Sequence, residues 1–153
     1  MAIEPARTRS GMTAGAAAAA VWAAQQPLDI RVFGVGYDDT ELLGKLLTRT
    51  RWWRPAGVLA HLALGAALGA AYVRVAPRLP GPGWARGVAF AMVEHLAGWP
   101  GTRQIDARRP AAADFPPLWG NHAAFAQATW RHVLYGALLG VLEAGLARNA
   151  APR

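Results

Sequence analysis

The chain has 153 residues, which is enough for one domain, and it carries a formal net charge of +7. Hydrophobic residues make up 54% of it and charged residues 16%, well below the roughly one quarter that is typical of soluble domains. The sequence contains no cysteine, which excludes disulfides, thiolate metal sites and cysteine nucleophiles. Its arginines are scattered rather than gathered on one face with aromatics, so we predict no nucleic-acid partner and a lipid bilayer instead.

Four apolar segments are predicted to cross a bilayer as helices: 11–24, 55–76, 83–99 and 123–147. Segment 55–76 is the clearest, since its length of about 33 Å, at roughly 1.5 Å per residue, matches a hydrocarbon core about 30 Å thick. Segments 11–24 and 83–99 are less apolar. Each of them runs on to a proline, Pro27 or Pro100, where we expect its helix to end.

Segment 11–24 has a second interpretation as a cleaved signal peptide, with Arg7 and Arg9 as its basic start. An internal repeat argues against it. Residues 61–69 read HLALGAALG, and residues 132–140 read HVLYGALLG, 71 positions later. The preceding segments align as well, at an offset of 72, and this near-constant offset indicates a duplicated hairpin.

The sequence therefore predicts an all-α fold, an integral membrane four-helix bundle built from two repeated helical hairpins. The predicted parts are an N-terminal tail 1–10, a first hairpin 11–80 with an interfacial loop 28–54, a second hairpin 81–148 with a Pro-rich loop 101–122, and a C-terminal tail 149–153. Both termini then lie on one side of the membrane, called side A, and both loops on side B. Arg7 and Arg9 beside the first helix favour a cytoplasmic N-terminus in a bacterial inner membrane.

Within the first loop, the stretch DDTELLGKLLTRTRWW places four leucines on one helical face, with Asp39 or Thr40 as the expected cap. We interpret it as a short helix that lies on the membrane surface or packs on the bundle.

Glycines recur four residues apart in every predicted span. Lipid supplies no hydrophobic drive between helices, so close backbone approach at small residues is how membrane bundles gain packing. The predicted packing positions, all in the side-A half, are Gly11, Gly15, Gly65, Gly69, Gly83, Gly87, Gly136 and Gly140.

Ionisable residues collect in the side-B half, where buried charges are costly and often functional. The candidate pocket residues are His61, Glu94, His95, Arg131 and His132. Glu94 is expected to pair with Arg131 as structural support, or with a histidine. The cluster alternatively binds protons, an ion, a metal or a small ligand, and His61 with His132 is a candidate pair of haem ligands. In the simplest interpretation each histidine bonds a nearby carbonyl or carboxylate.

The order of features resembles a known family. A Gly-rich first helix precedes HLALGAALGAAY, and GVAFAMVEHLAGWP, DFPPLWG and ATWRHVLYGALLG follow. This order is similar to the YagU-like family of small bacterial inner-membrane proteins, over about residues 11–147. The resemblance implies a multi-helix inner-membrane protein of unestablished biochemical role, and it supplies no catalytic residues.

No conventional catalytic motif is present, so we predict a non-enzymatic protein. The first functional hypothesis is a structural, accessory or assembly role, as a homo-oligomer or within a larger membrane complex, with no cofactor. The alternatives are a conduit or binding site for protons, ions or a small ligand, and, third, a b-type haem protein.

Overall fold

The computed structural model describes residues 5–108 and 115–150, and the regular secondary structure of this part of the chain consists of helices only, which confirms the all-α prediction. The α-helices are α1 (Pro5–Phe33), α2 (Asp39–Leu47), α3 (Trp53–Val75), α4 (Gly83–Gly98), α5 (Thr102–Arg108) and α6 (His122–Ala150), with 3₁₀ turns at Ala76–Arg78 and Trp99–Gly101. Among the described residues, one helix, Trp53–Arg78, is by length and hydropathy able to cross a membrane.

The prediction that the first helix ends at Pro27 is wrong. Helix α1 begins at Pro5, inside the segment assigned to a tail, and continues through Pro27 to Phe33. Proline removes one helical hydrogen bond, but Trp22, Gln26 and Asp29 are buried on both sides of it. Packing of this face on the bundle therefore outweighs the local penalty. The helix stops at Gly34, whose positive φ of 67° and N–H bond to the Ile30 carbonyl form its C-terminal cap.

The four long helices lie side by side in the order α3, α1, α6, α4. The first hairpin packs α1 on α3, the second packs α4 on α6, and the two hairpins join along α1 and α6. Helices α3 and α4, at the two outer positions, barely touch each other. The arrangement therefore has one closed seam, α1 with α6, and leaves a groove between α3 and α4.

Both hairpins cross at their predicted glycines. In the first, Gly11 and Gly15 lie against Gly69 and Gly65, with backbone directly on backbone. In the second, the same contact is made by Gly83 and Gly87 with Gly140 and Gly136. A Cβ on these glycines would fall inside the van der Waals radius of the facing helix, so the close approach needs glycine at these positions.

Helix α2 packs across the side-B end of α3, where the backbones of Gly44 and Gly57 meet. Its N-cap is Asp38, whose carboxylate accepts bonds from the Thr40 and Glu41 amides, so the caps expected at Asp39 or Thr40 are wrong by one or two residues. Within the predicted Pro-rich loop 101–122, residues 109–114 lie outside the described residues, and Thr102–Arg108 form α5.

Candidate functional site

A cavity of about 270 Å³ occupies the groove between α3 and α4. Its floor is the α1–α6 seam, and α2 and α5 lie at its side-B end. Most of its surface is apolar, and it is lined by Ala19, Trp22, Tyr37, Asp39, Leu42, Leu43, Leu46, His61, Leu64, Gly65, Leu68, Glu94, His95, Gly98, Trp99, Thr102, Ile105, Ala128, His132 and Tyr135. Four of the five candidate pocket residues from the sequence thus line one cavity, and Arg131 is the exception.

Glu94 and His132 form the ionisable pair of this groove. Glu94 Oε2 lies 2.9 Å from His132 Nε2, and the Glu94 side chain is 40% exposed while that of His132 is 15% exposed. The expectation that Glu94 pairs with Arg131 is therefore wrong, and the alternative of a histidine partner is correct. The carboxylate reaches its partner across the α4–α6 crossing, and its exposed part faces the groove.

Hydrogen-bond geometry fixes where the protons of this pair lie. His132 Nδ1 is 2.7 Å from the Ala128 carbonyl oxygen, which only accepts, so Nδ1 carries a hydrogen. At Nε2, an imidazole lone pair and a carboxylate would both be acceptors, so the 2.9 Å contact is a hydrogen bond when a proton lies between them. In that protonated form the pair is either imidazolium with carboxylate or imidazole with carboxylic acid, and in both cases it shares one proton and carries no net charge.

The other two histidines of the groove are held by neutral partners. His61 Nε2 bonds the Ala19 carbonyl of α1 at 3.1 Å, and His95 Nε2 bonds the Thr129 hydroxyl of α6 at 3.0 Å. His95 also stacks on His132, with ring centroids 4.5 Å apart. These bonds fit the simplest interpretation for His61 and His95, while His132 has the additional carboxylate partner.

Arg131 belongs to a buried polar cluster beside the groove, which we call the arginine clamp: Arg131, Asp29, Asp39 and Gln127. The guanidinium is fully buried and binds Asp29 through two bonds of 2.6 Å, one from Nε and one from Nη2. Its Nη1 binds Asp39 at 2.8 Å. The clamp joins α6 to the end of α1 and the start of α2. Arg131 therefore does not line the cavity, and its guanidinium is engaged within the bundle.

All four carboxylate oxygens of the clamp have donors. Gln25 and Gln127 bond Asp29, and Trp22 Nε1 bonds Asp39 at 2.8 Å. The Tyr37 hydroxyl also donates to Asp39. Burial and the neighbouring Asp39 carboxylate raise the pKa of Tyr37 well above its ordinary value, so its phenol stays protonated. One guanidinium here faces two carboxylates, and the clamp therefore presents net negative charge to the adjacent groove.

Haem ligation by His61 and His132 does not fit this arrangement. Trp22 packs edge-on against both imidazoles, with centroid distances of 5.4 Å and 4.8 Å. Both nitrogens of His132 and Nε2 of His61 are already bonded within the bundle. Within residues 5–108 and 115–150, no group of three or more His, Asp or Glu side chains is placed to hold a metal ion.

The sequence alone did not single out Asp29, Asp39, Gln127 or Trp22 as candidate pocket residues, although Asp29 and Trp22 were expected in the side-B half. Asp29 follows Pro27, so the segment was interpreted as a loop rather than as a helix facing Arg131. The one available signal was the repeat itself, because Trp22 and Glu94 occupy equivalent positions beside the equivalent histidines His61 and His132.

Comparison of the chain with protein-family models, curated proteins and solved structures finds no match. The resemblance to the YagU-like family stays a prediction, and the function must be argued from the groove.

Proposed function

We propose that this protein is a multi-pass membrane protein whose α3–α4 groove binds a small amphiphilic ligand. The observation that carries the proposal is the groove itself, which combines apolar walls with a partly exposed Glu94–His132 pair. Mostly apolar clefts with a few placed polar groups are the usual form of small-molecule sites.

The surface of the bundle supports a membrane location. Large apolar side chains are exposed on all four long helices, among them Val32 at 70%, Leu59 at 67%, Val93 at 69% and Val141 at 55%. Exposed apolar area spread around a bundle is unfavourable in water and is stabilised by lipid. Trp52, Trp119 and Trp130 are also exposed toward side B, where an interface would favour them.

Labelling of single cysteines tests the four-span topology, since the chain has no native cysteine. We expect Arg9→Cys and Pro80→Cys to react with an impermeant maleimide from one side of the membrane, and Thr50→Cys and Arg103→Cys from the other. If only α3 crossed, Arg9→Cys and Thr50→Cys would react from the same side, which would overturn the proposed topology.

The groove walls support a ligand with an alkyl or other apolar body. Leu42, Leu43 and Leu46 of α2 face Leu64 and Leu68 of α3 around the cavity. The Glu94–His132 pair lies at the same cavity, so a polar headgroup and an apolar tail would both find complementary surroundings.

Photo-crosslinking tests ligand binding. The probe is a long-chain alcohol with a diazirine on its chain, and decan-1-ol is the competitor. We expect saturable crosslinks to groove residues of α3 and α4, and their loss in Gly98→Phe. Gly98 lines the groove and its added Cβ would meet only Glu94 Oε1, at 3.8 Å, so the backbone accepts a side chain there and we expect the phenyl ring to occupy the cavity.

Gly101→Phe is the matched control, because it adds the same side chain nearby where no atom lies within 4 Å and outside the groove lining. It should leave the crosslinks unchanged. Crosslinks that are equal in both variants would reject ligand binding in the groove, and the structural or accessory role would then be favoured.

A further inference from the structure

We propose that the ligand of the groove is an amphiphilic ammonium cation, which binds Glu94 in exchange for the proton that Glu94 shares with His132. This inference rests on the proposed function, since it names the ligand class of the same groove. It follows from three observations: which hydrogen-bonding groups of the groove are already used, where the shared proton lies, and which charges surround the pair.

The side-chain hydrogen-bond donors that line the groove, except the indole N–H of Trp99, are engaged within the bundle. Tyr135 donates to the Gly65 carbonyl at 2.9 Å, and Trp22 donates to Asp39. Five other lining side chains donate in the same way. His61, His132 and Thr102 donate to the backbone carbonyls of Ala19, Ala128 and Trp99, His95 donates to the Thr129 hydroxyl, and Tyr37 donates to the Asp39 carboxylate. Thr129 itself donates to the Phe125 carbonyl, so it accepts from His95. A carboxylate or phosphate ligand would therefore find only the neutral indole N–H of Trp99 among these side chains, and no cationic donor.

Acceptors remain. When His61 and His95 are neutral, their Nε2 atoms carry the hydrogens that these bonds require and their Nδ1 atoms keep lone pairs. Glu94 bonds His132 through Oε2, which leaves the capacity of Oε1 on a side chain that is 40% exposed. A groove with several spare acceptors and one free neutral donor is complementary to a ligand that donates, and an ammonium group donates without accepting.

The surrounding charge favours a cation over a neutral donor. The titratable groups that line the cavity with the Glu94–His132 pair are His61 from α3, His95 from α4, Tyr135 from α6, Asp39 at the start of α2, and Tyr37 just before it. None of these is a permanent cation, and Arg131 in the clamp is outnumbered by its two carboxylate partners. The aromatic faces of Trp22 and Trp99 in the lining suit an ammonium group as well.

The exchange balances in atoms and charge. Before binding, the pair holds one shared proton and has no net charge, and the ligand R–NH₃⁺ carries one positive charge. After binding, the ammonium donates to both the Glu94 carboxylate and His132 Nε2, so that it replaces the shared proton between these two acceptors. His132 is then a neutral imidazole, and one proton has left for solvent. Because one proton leaves for each cation bound, the apparent affinity for the ammonium should rise about tenfold per pH unit while the pair is protonated.

The test uses three competitors of equal chain length against the alcohol photoprobe: decylamine, decan-1-ol and decanoate. In the wild-type protein, decylamine should compete at a concentration at least about tenfold lower than the other two, which is about 1.4 kcal/mol. In Glu94→Gln this advantage should vanish while competition by decan-1-ol persists, which also shows that the groove is intact. A pH indicator in weak buffer should record about one proton released per decylamine bound, and none in the variant.

The outcomes separate the two proposals. If the photoprobe is insensitive to Gly98→Phe, the groove does not bind ligands and the proposed function fails. If decan-1-ol competes but decylamine has no advantage and releases no proton in the wild-type protein, only the ammonium inference is wrong. Preference for decanoate over decylamine would also overturn the ammonium inference. The competition and proton-release measurements are made on the wild-type protein, so they do not depend on the folding of a variant.

Discussion

The two hairpins share one backbone design and differ at one decisive position. Each crosses at two pairs of glycines, and each carries a histidine four residues before its second-helix glycine, His61 or His132. The residue that faces this histidine is Trp22 in the first hairpin and Glu94 in the second. A tryptophan gives an aromatic contact, whereas a carboxylate gives a shared proton. The duplicated scaffold thus places an ionisable pair in only one of two equivalent locations.

The two surfaces along which the hairpins meet also differ, although the repeat makes them equivalent. Under the duplication, α1 corresponds to α4 and α3 to α6, so the α1–α6 seam is the counterpart of the α3–α4 groove. The seam is closed by the arginine clamp. The groove has one described cross-link at its side-A end, where Tyr72 donates to the Gly83 carbonyl at 3.3 Å. The difference teaches that a repeat supplies equivalent surfaces, and that a few polar side chains decide which surface closes.

Among the predicted changes, removal of the arginine clamp should cause the largest loss in the free energy of unfolding. Arg131→Met leaves Asp29 and Asp39 buried without their cation, and breaking a buried pair in this way costs about 3–5 kcal/mol. We expect a loss of this size in the free energy of unfolding, measured by SDS titration in mixed micelles. Arg74→Met is the control, because within the described part of the chain the exposed Arg74 side chain bonds only the Ala70 carbonyl of its own helix. Equal losses in both variants would show that the clamp does not hold the seam.

Substitution of equivalent glycines tests whether the two crossings are energetically alike. A Cβ on Gly65 would lie 2.8 Å from the Gly15 carbonyl oxygen, and one on Gly136 would lie 2.5 Å from that of Gly87. Gly65→Ala and Gly136→Ala should each cost about 1–3 kcal/mol, since overpacking forces the helices apart. Gly101→Ala, with open space around it, should cost much less in the same SDS titration. A large loss in one hairpin alone would break the proposed equivalence.

The two tyrosine cross-links should give the smallest effects. Tyr135→Phe removes a buried bond of 2.9 Å to the Gly65 carbonyl of α3 and should cost about 0.5–1.5 kcal/mol. Tyr72→Phe removes the longer bond across the groove and should cost less. Thermal unfolding in detergent measures both. A greater loss for Tyr72→Phe would mean that the groove is held closed more firmly than its sparse contacts indicate.

Much of the candidate site followed from the sequence because it depends on helical periodicity and on the repeat. His61, Glu94, His95 and His132 were placed on the correct halves of their helices, and they line one cavity. The partner of Glu94 did not follow, since Arg131 and His132 are adjacent in the chain. Only the rotation of α6 against its neighbours directs Arg131 to α1 and His132 to α4.

The sequence by itself determined the all-helical fold, the hairpin repeat and the glycines, because small residues at fixed helical spacing allow only a narrow range of close crossings. Tertiary structure decided the rest. Burial of Trp22, Gln26 and Asp29 carries α1 through Pro27, although the local preference of proline is to end a helix. Only the packing energy of long-range contacts exceeds this local penalty. The extension of α1 brings Asp29 to Arg131, which closes the α1–α6 seam, while the equivalent α3–α4 surface stays open as a groove.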